Sequence, residues 1–468
     1  MCLVSKANSD FLEIHKVQRM SPKGLILVFY SLIHLLSALW VLCYNTQIMK
    51  TIKAIFSDRG LRNRIFFVIG ILIITRILAV IPISGIDASS LAAFLQNNSF
   101  FGLLNIFAGG GIASFSIVKL GVGPYITASI IMQLLTVLSP RLKEMYQEEG
   151  DIGRRRFVQY GRLLTLPLGA LQGFALITLL TRQNVIPQLG TSEMIANIII
   201  VTAGTMLMMW LGEQINEHGI GNGVSLIIFA GIVSALPQHL SQFFLTFDAS
   251  QIPMVVGLLV LSLIVIAGVV FVTEAERPVP ITYSRQTRLG AQAGLSDSTY
   301  LPLRLNQAGV IPIIFAVSIL LFPQLIGQLL ATSSQIELQS IARTMNNALA
   351  NHWIYGSLYF FLVVSFTYFY TAIMFDPEQT ASNLQKSGAF IPGFRPGMAT
   401  AEYLGFVLSR ITFFGAIFLG IVAVLPVVVQ AVTGLTAIQV GGTSLLIVIS
   451  VVLDLIKKID AQLSMREY

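Results

Sequence analysis

From residue 65 to residue 457 apolar residues run in solid blocks, broken by short polar or glycine- and proline-rich stretches. A helix needs roughly 20 predominantly apolar residues to cross a bilayer. The blocks predict ten such helices, at 65–83, 115–138, 162–181, 195–212, 220–236, 253–273, 307–329, 354–374, 409–431 and 442–457. Outer-membrane barrel strands would alternate in segments of about 10 residues, so a barrel is excluded. The pattern is that of an all-α polytopic membrane protein.

Residues 1–48 stand apart. Their apolar run from Leu25 to Tyr44 reads as an eleventh span or as a signal peptide, although no small-residue cleavage site follows it. A third reading starts from "MKTIKAIFSDRGLRNRI" at Met49, which resembles a complete cytoplasmic beginning. The preceding segment is then a mis-assigned upstream start. The remainder divides into an N-terminal half, 49–236, and a C-terminal half, 253–468.

Composition narrows the chemistry. The chain is 55% hydrophobic and 11% charged, against about 25% charged in soluble domains. Its cysteines, Cys2 and Cys43, both precede the body, and the five histidines have no metal-ligand spacing. A Gly-Lys-Ser/Thr phosphate loop is also missing, and Gly219–Gly223 follows no strand. The expectation is a non-enzymatic protein without a cofactor, driven by a partner or an ion gradient.

Charge sets the expected orientation. Twenty-one lysines and arginines fall in 49–64, 139–162, 274–306, 375–410 and 457–468, against Lys119, Arg182 and Arg343 in the other loops. That asymmetry places both termini of the ten-helix body, and its large loops, in the cytoplasm. Loops 274–306 and 375–408 have 33 and 34 residues, far beyond the usual 4 to 6. Arg285, Arg288, Lys386 and Arg395, interleaved there with proline, glycine and aromatics, suggest a docking surface for an acidic or RNA-containing partner. The plainer reading is that these positives only enforce topology.

An internal echo suggests how the body is built. "GVGPYITASI" at 121–130 and "GVIPIIFAVSI" at 309–319 both give Gly-Val-x-Pro-x-Ile at the head of a span. Five spans separate the copies, so they point in opposite directions, as in an inverted repeat with its conducting region between the halves. Upstream of the first copy, "SFFGLLNIFAGGG" at 99–111 is too short to span. It reads as a short apolar helix on a glycine hinge, which either dips into a cavity of the protein or lies on the membrane surface. Arg76, inside the first span, is either functional or paired within the bundle.

Five stretches resemble SecY, the central subunit family of the bacterial protein-translocating channel. They are "LNIFAGGG…LGVGPYITASIIMQLL" (103–135), "MMWLGEQINEHGIGNGVSLIIFAGIV" (208–233), "LPLRLNQAGVIPIIFA" (301–316), "NLQKSGAFIPGFRPG" (383–397) and "GGTSLLIVISVVLD" (441–454). The resemblance covers the chain from Met49 onward. It implies a clamshell of two five-helix halves in the bacterial plasma membrane, passing unfolded secretory polypeptides across and releasing apolar segments sideways into lipid. Its pore ring would fall on Val122, Ile126, Val224, Ile228, Ile314 and Ile447, with two valines where the family pattern is isoleucine. The plug and its hinge would be Leu103, Leu104, Ile106, Phe107, Gly109, Gly110 and Gly111. Thr127 and Asn306 would lie near a lateral gate between spans two and three and spans seven and eight. Arg395 matches the family's loop arginine that engages the motor ATPase SecA, and the same loops would receive the ribosome. The stretch at 285–296 is less basic than the family pattern, which weakens the transfer of single contacts there. SecE and SecG subunits, signal peptides, nascent polypeptides and membrane lipid are the remaining implied partners. A different class, an ion-coupled secondary transporter, also uses inverted repeats, but would bury carboxylates along its path. An insertase would show a polar groove open to lipid.

Overall fold

The computed structural model describes residues 58–83, 116–147, 149–182, 186–187, 190–246, 252–283, 299–309, 311–331, 335–433 and 436–464. The chain falls into two compact units, Met1–Phe66 with Asp460–Tyr468, and Phe67–Ile459. Each of the ten expected spans coincides with a helix: α1 (Arg59–Val80), α2 (Gly123–Leu138), α4 (Gly150–Arg182), α5 (Thr191–His218), α6 (Gly223–Thr246), α7 (Ile252–Glu274), α8 (Ile311–Ala331), α10 (His352–Met374), α12 (Met398–Thr433) and α13 (Thr436–Ser464). Three further helices, α3 (Pro140–Gln147), α9 (Ile336–Ala350) and α11 (Pro377–Lys386), lie in the connections. Among the described residues five helices are long and apolar enough to cross a membrane, and the α2–α3 pair, bent by 114°, makes a sixth. The bend has a local cause. Pro140 pushes Ser139 out of the helical region to φ −120°, ψ 112°, ending α2 there.

Within the larger unit, α1 shows how such helices partition their faces. Val68, Ile71, Thr75 and Ala79 are buried, whereas Ile69, Ile73, Ile74 and Ile77 are exposed. Both faces are apolar, so the split reflects protein on one side and the expected lipid on the other. Hydroxyls inside the helices bond back onto their own backbone: Thr127, Thr165, Thr205, Thr367 and Thr371 each donate to the carbonyl four residues earlier. That satisfies a polar group where no water is available.

Two corrections to the expected elements have physical reasons. The span expected from 115 starts as helix only at Gly123; residues 117–122 form turns tied to the end of α1, with Ile117 N–H donating to Ile81 O at 3.2 Å. Gly121, at φ +54°, supplies the left-handed conformation that reverses the chain, and Pro124 then sits in the first helical turn. In the repeat copy Gly309 is likewise left-handed, at φ +62°, shortly before α8. The second correction concerns the long loops. They are folded together: β1 (Glu276–Tyr283) pairs antiparallel with β2 (Thr299–Arg304) and with β3 (Ala389–Phe390), in the order β2-β1-β3. Helix α12 begins at Met398, well before the expected 409. Val279, Leu303, Ile391, Leu404, Val407 and Ile411 form a separate small core between this sheet and α12.

The turn at 116–122 is packed tightly against α5. A Cβ placed on Gly204 would collide with the carbonyl oxygen of Ile117. Gly204→Val is expected to lower stability by about 1–3 kcal/mol, the usual cost of overpacking. Gly70→Ala, where a Cβ meets no atom within 4 Å, should be neutral or slightly stabilising. Thermal unfolding of both variants in detergent checks this; equal melting temperatures would mean that the turn is not held as described.

Candidate functional site

The residues expected to form a ring come from four helices. Val122 and Ile126 lie at the head of α2, Val224 and Ile228 at the head of α6, Ile314 at the head of α8, and Ile447 on α13. All six belong to one large apolar core, and of the six only Val224 is partly buried. Helices α2 and α8, on the two sides of the expected gate, pack against each other. Every one of these six is an aliphatic side chain branched at Cβ with no hydrogen-bonding group, although the wider core also holds Tyr355, Tyr359 and Tyr370.

The start of α6 explains how two members reach the cluster. Asn216 Oδ1 accepts from Gly223 N–H at 2.7 Å, and Asn222 O accepts from Leu226 N–H at 2.9 Å. Gly221 is left-handed at φ +96°, and Gly223 leaves no room for a Cβ against Gly212 O. The glycine-rich segment dismissed as a nucleotide loop is therefore a tight connection between α5 and α6.

Beside the cluster lies a cavity of about 280 Å³ whose walls include Ile314 with Asn222, Ser225, Asn306, Tyr370 and Ser450. Its charged rim is internally paired. Arg304 meets Glu276 at 3.2 Å, Lys457 meets Glu274 at 3.0 Å, and Lys458 meets Asp454 at 2.8 Å. The two residues singled out near the gate do not bond to each other. Thr127 donates to Gly123 O, and Asn306 Nδ2 donates to Gly309 O at 3.1 Å, bracing the left-handed turn before α8. The Oδ1 of Asn306 is buried without a hydrogen-bond partner.

The docking candidates divide. Lys386 and Arg395 are exposed. Lys386 closes α11, whose first turn is capped by Asp376 accepting from Glu378 N–H and Gln379 N–H. Arg395 sits on a rigid turn: its carbonyl accepts from buried Thr400, and the neighbouring Phe394 stacks on Tyr403 with centroids 4.2 Å apart. Arg285, Arg288 and the whole plug segment, including Leu103, Leu104, Ile106, Phe107, Gly109, Gly110 and Gly111, lie outside the described residues.

Charges inside the bundle were under-read from the sequence. Arg76 Nη1 donates to Ser234 Oγ on α6 at 2.7 Å, so the pairing within the bundle exists. Lys119 is fully buried in the turn before α2. Buried Glu213 accepts from Arg162 Nε at 2.7 Å, joining α5 to α4, with Tyr125 of α2 close by. The expected span ended at 212, which left Glu213 in a loop; the unbroken helix-forming run through His218 was the signal that could have corrected this. Glu213→Ala should cost about 1.5–3 kcal/mol, the range for a hydrogen bond to a charged group. The double variant with Arg162→Ala should cost less than the two single changes added together. A double-mutant cycle on thermal unfolding measures this; strict additivity would deny the coupling.

A family model described as SecY matches residues 116–456. The protein translocase subunit SecY of Synechocystis sp. is 41% identical over 418 residues, covering 87% of this chain and 93% of its own length. That of Bacillus subtilis is 40% identical over 432 residues, covering 90% and 98%. Among solved structures, one described as a protein conducting channel aligns with TM-score 0.57 at 19% identity, covering 85% of this chain and 91% of its own. Another, concerned with the plug domain of the SecY protein, aligns at TM-score 0.59 and 19% identity over the same shares. At that identity the likeness is one of fold.

Proposed function

The chain belongs to the SecY family, and on that premise we propose that it forms a channel through which unfolded polypeptides cross a bacterial plasma membrane. The observation that carries the reading is the convergence of Val122, Ile126, Val224, Ile228, Ile314 and Ile447, from both halves of the chain, on one apolar cluster beside a polar cavity. A collar of branched aliphatic side chains excludes water from a narrow constriction, and ions that cannot shed their hydration do not follow. The same side chains have no polar groups with which to grip a passing sequence, so the collar yields to any unfolded chain. The polar cavity next to it offers carboxamides and hydroxyls to a backbone that is losing its water.

The further parts follow from the family and from charge. The halves 49–236 and 253–468 hinge between α6 and α7, and the sheet-bearing end faces the cytoplasm because it carries the lysines and arginines. Separation of α2 and α4 from α8 and α10 opens a path for apolar segments, such as signal peptides, into lipid. Lys386 and Arg395, with Arg285 and Arg288, present the docking surface for the SecA motor and for the ribosome; a related fold is described as Sec61 in a canine ribosome-channel complex. SecE and SecG complete the complex. Segment 99–111 acts as the plug, a role supported by its length, its glycine hinge and the plug domain described for a SecY protein.

Single cysteines at Ile126, Ile314 and Ile447 should crosslink to cysteines in a secretory polypeptide stalled in transit, whereas cysteines at exposed Ile73 and Ile77 should not. Crosslinks confined to the exposed positions would overturn the pore assignment. Deleting 100–111 should raise the ion conductance of resting channels in planar bilayers several-fold, and an unchanged conductance would remove the plug.

A further inference from the structure

Five of the six proposed collar residues lie at helix starts, whereas Ile447 lies within α13. The height of its side chain therefore depends on how that helix is held along its axis. From residue 436 to residue 453 the α13 sequence contains no aspartate, glutamate, lysine or arginine. Between apolar helices in lipid no hydrophobic force opposes sliding; only packing and polar contacts do. A slip of one turn moves a side chain by about 5.4 Å, enough to take it out of the collar.

The charges of α13 begin after that run. Asp454 and Lys458 pair with each other at 2.8 Å, within the helix. Lys457 reaches another helix instead. Its Nζ donates to the backbone carbonyl of Thr273 at 3.2 Å and meets Glu274 Oε1 at 3.0 Å. Thr273 and Glu274 close α7, where the last carbonyls have no acceptor role within their own helix and the dipole is negative. A lysine ammonium is a group that such an end favours. On the opposite side of α13, Leu455 lies beside Gly221 in the turn before α6. That apolar contact holds α13 sideways, and the bond at Lys457 holds it lengthwise.

The end of α7 also supports the other collar member of the C-terminal half. The carbonyl of Ala275, the next residue, accepts from Leu305 N–H at 2.8 Å. Gly415 of α12 leaves no room for a Cβ against Leu305 O, so Leu305 is confined from that side too. Leu305 opens the break that leads through Asn306 and Gly309 into α8 and Ile314. Ile314 and Ile447 thus both lead back, along α8 and α13, to one helix end.

We propose that Lys457 is the positioning residue for Ile447: by capping the C-terminal end of α7 it fixes the axial register of α13, and with it the height of Ile447 in the collar. Ile447 and Lys457 are ten residues apart, about 15 Å along an α-helix, so Lys457 acts through the helix that it anchors. Without the ammonium, α13 keeps its apolar contacts but is free to settle a turn away, the kind of step by which packed helices shift. The role at the collar rests on the channel reading above, whereas the anchoring of α13 does not.

The full chain, with Cys2→Ser and Cys43→Ser, carries nitroxide labels on cysteines introduced at Val260 of α7 and Val452 of α13, both exposed. Pulsed electron paramagnetic resonance in nanodiscs then reads the distance between the two helices' labels. Native Lys457 should give one population. Lys457→Met, which keeps the stem and removes the ammonium, should add a second, displaced population, and Lys457→Arg should return to one. An unchanged distribution in Lys457→Met would overturn the anchor. Glu274 is half exposed, so Glu274→Lys sets a like charge against Lys457 without disturbing the core. It should displace α13 in the same way, and an unchanged distribution there overturns the anchor if Lys457→Met fails to fold. In planar bilayers the resting ion conductance should rise several-fold in Lys457→Met and fall back in Lys457→Arg. A displaced α13 with unchanged conductance would remove Ile447 from the collar, and with it the positioning role, while the anchor stands.

Discussion

A backbone break inside an apolar bundle survives only where every freed N–H and C=O finds a partner within the protein. Two such breaks, at 117–122 and at 305–309, govern how the helices of this chain are arranged. In each a left-handed glycine, Gly121 or Gly309, reverses the chain immediately before a helix with proline in its first turn. The first break is satisfied by the end of α1 and by its own turns, and the second by the carboxamide of Asn306. Because both helices begin at a defined point, their first inward turns are defined too, and those turns carry Val122, Ile126 and Ile314. The start of α6 obeys the same rule by other means, with Asn216 and Asn222 covering the free N–H groups. Five of the six residues of the proposed collar thus sit at helix beginnings held by braced turns, while Ile447 lies within α13.

The same economy of polar groups explains the rest of the interior. Glu213 and Arg162 neutralise one another across α5 and α4, and Arg76 reaches Ser234. These contacts join neighbouring helices of the N-terminal half, leaving its packing stiff around the head of α2. In the C-terminal half the corresponding work is done by aromatic packing, with Phe315 meeting Phe366 and Tyr370 edge to face. These ring contacts join α8 to α10, the two helices proposed to move together away from α2 and α4.

Outside the bundle, the sheet and the extension of α12 give a base to Lys386 and Arg395, the described residues of the proposed docking surface. A loop of 34 residues would present Arg395 in many orientations, whereas here the stack of Phe394 on Tyr403 and the Thr400 hydrogen bond present it in one. Ordering this surface beforehand lowers the entropic cost of engaging a large partner.

How much was legible in the sequence follows from the range of the forces involved. Solid apolar blocks are a local property, so the ten helices could be read directly, as could the Gly-Val-x-Pro echo, each copy of which opens on a left-handed glycine. Loop 274–306 could not be read as a strand pair, because β1 joins β3 across more than a hundred residues and strand pairing has no local period to announce it. Glu213 escaped for a related reason: hydropathy ends a span at the first charge, while a helix continues as long as a distant arginine can meet that charge. Membrane class and helix positions were thus legible in the sequence alone, since burial in lipid acts residue by residue, whereas the candidate ring residues came only from the resemblance to the SecY family. Which charges find partners, which loops fold together and which polar groups remain unsatisfied were decided only by the tertiary structure, because hydrogen bonds and ion pairs depend on atoms that the chain brings together from far apart.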